Sequence, residues 1–122
     1  MTQKITVIRG DGIGPEIMDA TLFVLGKLDT GFEYEDADAG LVALEKHGDL
    51  MPAATLESIA RNKIALKSPL TTPVGGGFTS INVSLRRHFD LYANVRPAVS
   101  FPNTKSRFGD GVDLITVREN TE

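Results

Sequence analysis

The sequence predicts an α/β fold, and three observations carry that reading. Short runs rich in β-branched residues alternate with stretches whose apolar side chains recur at three- and four-residue spacing. Glycine or proline stands at nearly every junction between them. The composition, 41% hydrophobic and 24% charged with aliphatics carrying most of the apolar share, is that of a chain able to bury a core. A length of 122 residues fits one domain.

Lys4 to Ile8, "KITVI", reads as a buried strand that runs into a glycine turn, "RGDGIGPE". A helix follows from the turn. Pro15 suits its first turn, Glu16 complements the positive end of its dipole, and Ile17, Ala20, Thr21, Val24 and Leu28 form one apolar stripe. "GFEYEDADAG" reads as a second strand with an acidic end, "LVALEKHG" as a short helix closed by Gly48, and "PAATLESIARN" as a helix with Pro52 near its start. "KIALKS" is a third strand. After a loop over 68–78, "SINVSLRRHF" carries a short helical stripe of Ile81 and Leu85, and "DLYANVRPAV" returns as a strand. "SFPNTKSRFGDG" is polar and punctuated, hence an exposed loop, and "VDLITVRENTE" begins as a final strand through Val112, Leu114, Ile115 and Val117. With no closing element after that strand, the chain reads as cut.

The bulk numbers also exclude. A formal charge of -3 argues against a nucleic-acid partner, which needs a basic face. The absence of cysteine rules out a disulfide framework and thiol chemistry, in keeping with a reducing cytoplasm or matrix, of which the cytoplasm is the expectation. The N-terminal "MTQKITVIRG" has too short an apolar stretch for a signal peptide or a membrane span.

Two glycine-rich stretches invite a nucleotide reading. "GDGIGPE" follows a strand and opens a helix, but Gly10, Gly12 and Gly14 give G-x-G-x-G with Pro15 next, which is not the Rossmann spacing. It reads as a tight turn that lets backbones come close. "VGGGFTS" lacks the Gly-Lys-Ser/Thr of a Walker loop and by composition alone is equally a flexible surface loop. Ser80 and Asn82, short hydrogen-bonding residues at the opening of a helix, favour an anion there. Arg86, Arg96 and Arg118 stand on three segments, and each can grip a carboxylate with two parallel hydrogen bonds. Because Arg96 and Arg118 end the apolar runs "LYANV" and "LITV", they suggest a cationic pocket at strand carboxyl ends. "EYEDADAG" misses the spacing of a calcium loop, and His47 and His88 share no metal-ligand spacing.

Taken together, "GDGIGPEI", "KSPLTTPVGGGFTSINVSLRR", "DLYANVRP" and "VRENTE" resemble the isocitrate/isopropylmalate family of β-decarboxylating dehydrogenases over essentially the whole chain. The S-x-N-x-x-x-R spacing of Ser80, Asn82 and Arg86 resembles that of its isocitrate-using members. The resemblance implies the N-terminal part of that family's α/β fold, not a Rossmann domain, with 1–98 in a large domain and 99–122 starting a smaller one. It implies oxidation of a substrate 2-hydroxyl by hydride transfer to NAD or NADP, with NAD slightly favoured by the brief N-terminal extension. Loss of carbon dioxide would follow, assisted by Mg2+ or Mn2+. Matching residue by residue, Ser80 and Asn82 would meet the distal carboxylate of isocitrate, and Arg86, Arg96 and Arg118 would be the substrate arginines. Ile13 would lie near the adenosine, Thr72 near the nicotinamide with Asn82 also on the cofactor side, and Lys67 at the rim of the site. The metal aspartates, the catalytic tyrosine and the catalytic lysine are expected beyond Glu122, in a homodimer or larger homo-oligomer. Homoisocitrate as substrate, or a non-catalytic regulatory subunit, are the alternatives.

Overall fold

A computed structural model describes residues 2–71, 79–103, 105, 107–108 and 111–120. Its elements run β1 (Gln3–Ile8), α1 (Gly14–Leu25), β2 (Phe32–Ala37), α2 (Leu41–His47), α3 (Ala53–Asn62), β3 (Ala65–Lys67), α4 (Ile81–His88), β4 (Ala93–Val99) and β5 (Asp113–Glu119). Every element anticipated from the sequence is present and of the anticipated type. They form two compact units, one ending at Ile81 and one beginning at Asn82.

In the first unit β1 is the middle strand of a parallel sheet ordered β2-β1-β3. It pairs from Gln3↔Phe32 to Ile8↔Ala37 on one side and from Thr6↔Ala65 to Ile8↔Lys67 on the other. A central parallel strand is covered on both faces, which is why "ITVI" is buried at every position without alternation. Ile5, Val7 and Ile8 form the core with Met18, Ala39, Ala43 and Leu50.

Helix α3 packs against β1 and β2. Its inward residues, Thr55, Ser58 and Asn62, are polar, and they meet polar groups of the sheet. Asn62 Nδ2 donates to Thr6 Oγ1 at 2.9 Å, Thr6 Oγ1 and Ser58 Oγ lie 2.8 Å apart, and Ser58 Oγ donates to Glu35 Oε1 at 2.6 Å. With the serine proton committed to the carboxylate, the threonine must donate to the serine, so the chain of bonds has one direction. Arg61 closes it by pairing with Glu35. The Ser58 bond holds the Glu35 carboxyl below its ordinary pKa, with desolvation opposing and Arg61 assisting.

Helix α1 buries Gly14 and Met18, whereas the apolar stripe read from the sequence faces outward: Ile17 is 44% exposed, Val24 58% and Leu28 56%. The helix also ends at Leu25, capped by Gly26, so Leu28 lies past it. The inward side carries Gly14, where a Cβ would lie 2.5 Å from the Arg9 carbonyl oxygen and 3.2 Å from Ser68 Cβ.

The second unit holds a two-stranded antiparallel ribbon, β4–β5, with pairs from Ala93↔Glu119 to Val99↔Asp113. Ser100 N donates to Val112 O and Asn120 N to Tyr92 O, so the even-numbered positions of β4 are the hydrogen-bonded pairs. Pro97, opposite Ile115, therefore stands where its missing N–H costs the ribbon nothing. One face carries Val95, Pro97, Val99, Ile115 and Val117, with Asp113 and Glu119 at its ends; the other carries Asn94, Arg96, Thr116 and Arg118, with Ala98 and Leu114 at one end.

Candidate functional site

In the first unit the glycine turn is built around Asp11, whose side chain is buried. Its backbone N–H donates to Pro69 O at 3.0 Å, and its carbonyl accepts Gly14 N at 2.9 Å. The carboxylate then accepts three backbone N–H groups: Leu41 at 3.1 Å, Val42 at 3.2 Å and Thr71 at 2.9 Å. Leu41 and Val42 open α2, whose N-cap residue, Gly40, has no side chain to offer; Asp11 caps the helix from thirty positions away. Gly40 holds φ 80° and ψ -149°, and a Cβ there would collide with the Asp11 carboxylate. Ser68 Oγ adds a bond to Gly14 O at 3.0 Å, and a Cβ on Gly10 would strike the Pro69 carbonyl. The close backbone approach expected of "GDGIGPE" is thus between this turn and residues 68–71. Ile13 projects from it, 67% exposed, at the entry to α1.

The carboxyl ends of β1 and β2 border a cavity of about 160 Å³ lined by Arg9, Pro15, Asp36, Asp38 and Lys46, among others. Its charges pair within the unit. Arg9 bonds Asp19 and Asp36, which together raise its already high pKa. Lys46 and His47 bond Asp38, and outweigh a desolvation that by itself would raise the Asp38 pKa, so that it is lowered.

In the second unit Asn82 and Arg86 are half-buried, one helical turn apart on α4 beside the buried Ile81 and Leu85. Asn82 Oδ1 is buried and has no hydrogen-bond partner among the described residues. A buried acceptor left open in this way suits a ligand that brings a donor, or, with the amide turned over, an anion. Ser80, exposed, immediately precedes α4. The carbonyl of Arg86 accepts Leu91 N at 2.8 Å, which fixes the turn from α4 into β4.

Arg96 and Arg118 are both exposed and share the polar face of the ribbon. Arg96 pairs with Thr116 and Arg118 with Asn94, making the arginines diagonal neighbours roughly 7–8 Å apart at the backbone. Arg96 Nε also donates to Asn94 Oδ1 at 3.3 Å. One sequence expectation needs correction: Arg96 lies in the middle of β4, not at a strand's carboxyl end, and the ribbon is antiparallel. Strand pairing, not a row of parallel strand ends, brings the two guanidinium groups to one side.

A profile of the isocitrate/isopropylmalate dehydrogenase family matches residues 4–122. The chain belongs to that family. The isocitrate dehydrogenase [NADP] of Thermus thermophilus is 48% identical over 120 residues, which are 97% of this chain and 24% of that protein. A chloroplastic 3-isopropylmalate dehydrogenase of Solanum tuberosum is 42% identical over 119 residues, 98% of this chain and 33% of that protein. The crystal structure of isocitrate dehydrogenase from Methylococcus capsulatus matches with a TM-score of 0.88 at 54% identity, covering 99% of this chain and 35% of that one. The chain therefore has the fold of the matching part of these proteins, and it spans about a quarter to a third of their length.

Of the residues singled out from the sequence, Ile13 and Ser80 belong to the first unit, and Asn82, Arg86, Arg96 and Arg118 to the second. Thr72 lies outside the described residues. Lys67 ends β3 and donates to Ser68 O at 2.8 Å. Sequence reasoning missed Asp11 and Ser68. A helix that opens on glycine was the available signal, since its first N–H groups need an acceptor from elsewhere.

Among the described residues no three His, Cys, Asp or Glu side chains gather closely enough to hold a metal ion, and no helix is long and apolar enough to cross a membrane.

Proposed function

We propose that this chain forms part of an enzyme that oxidatively decarboxylates isocitrate to 2-oxoglutarate with a nicotinamide dinucleotide. The observation that carries the reading is the pairing register that puts Arg96 and Arg118 on one exposed face of the β4–β5 ribbon. Isocitrate has three carboxylates, and diagonal arginines offer two-pronged contacts to such a ligand. An isopropylmalate substrate would replace one carboxylate with an apolar branch. The short polar pair Ser80 and Asn82 favours the carboxylate.

In this reading Arg96, Arg118 and Arg86 bind and orient carboxylates, while Ser80 and Asn82 donate to the distal one. Bound NAD or NADP takes up the hydride from the substrate carbon that bears the hydroxyl. The unpartnered Asn82 oxygen fits a hydroxyl or amide donor, and the exposed Ile13 offers an apolar surface for an adenine ring. The donor set for Mg2+ or Mn2+ is not found among the described residues. We place 1–98 with the large domain and 99–122 with the smaller, and take the enzyme to be a homo-oligomer.

The test is isocitrate-dependent reduction of NAD and of NADP by the full-length enzyme with magnesium present, against residues 1–122 alone. Activity of the full-length enzyme with isocitrate and none with isopropylmalate or homoisocitrate supports the reading. A preference for either rival reassigns the substrate, and turnover by the isolated chain removes the need for residues outside it.

A further inference from the structure

We draw no further inference here: the strongest candidate, the exposed apolar face of the β4–β5 ribbon on which Val95, Val99, Ile115 and Val117 lie together, carries nothing because nothing in the structure shows what covers it.

Discussion

Thr71 donates its backbone N–H to the carboxylate of Asp11 at 2.9 Å, across sixty positions of sequence. The bond joins the start of the glycine-rich stretch to the turn that opens α1, and the same carboxylate begins α2. Local order at the glycine turn is thus built from long-range backbone contacts, and their loss should be measurable in several ways.

Gly40 and Gly48 flank α2 with nearly equal φ, 80° and 75°, yet they should respond differently to alanine. Gly48 has open space and an ordinary left-handed cap geometry, so Gly48→Ala should cost about 1 kcal/mol. Gly40 combines a backbone region reserved for glycine with a collision against Asp11, so Gly40→Ala should cost about 3 kcal/mol or more. Urea denaturation of the two variants checks the difference; equal losses would mean that the carboxylate moves aside freely.

The Ser58–Glu35 bond predicts an acid limb of stability. Glu35 has a folded pKa below its unfolded one, so its contribution is complete above the unfolded value of about 4.3 and disappears as pH falls through the lower folded value. Asp38, lowered as well, adds to the same limb. Glu35→Gln should flatten the fall in urea midpoint between about pH 5 and pH 3, relative to the parent. Parallel curves for the two proteins would show that Glu35 carries no linkage.

Arg96→Met in the full-length enzyme should lower kcat/KM for isocitrate by tens to thousands of fold, since a bound carboxylate that loses its charged partner costs on the order of 2–5 kcal/mol. Steady-state kinetics with varied isocitrate provides the check. An unchanged kcat/KM would leave Arg96 as a solvated surface charge.

At Ser80 the sign of the charge should matter more than the lost hydroxyl. Ser80→Ala removes one donor to a charged acceptor, about 1.5–3 kcal/mol. Ser80→Asp adds like-charge repulsion, about 4 kcal/mol more at an effective dielectric near 20. The aspartate variant should fall several hundred-fold below the alanine variant in kcat/KM, about that repulsion in rate terms. Equal impairment would remove Ser80 from the distal carboxylate.

Element types were legible because the signals were local: β-branched runs for β1 and β3, Gly48 at the end of α2, and the Ile81/Leu85 spacing of α4. What lay hidden depended on partners far away in sequence. The inward side of α3 is Thr55, Ser58 and Asn62, which no apolar periodicity can find, because its reason is Thr6 on β1 and Glu35 on β2. The exposed stripe of α1 misleads in the opposite sense. For the candidate site, the convergence of Arg96 and Arg118 was read from parallel strand ends; what brings them to one face is an antiparallel register visible only once β5 is paired. Asp11 escaped notice because an acid between two glycines reads as a surface turn until the uncapped start of α2 is considered.

The pairing of β4 with β5 makes the ribbon sensitive to the parity of its length. Gaining or losing a single residue between Arg96 and Arg118 in either strand would send one guanidinium to the side of Val95 and Val117. Two residues would restore it. Drift in this lineage should therefore record paired insertions and deletions within the strands.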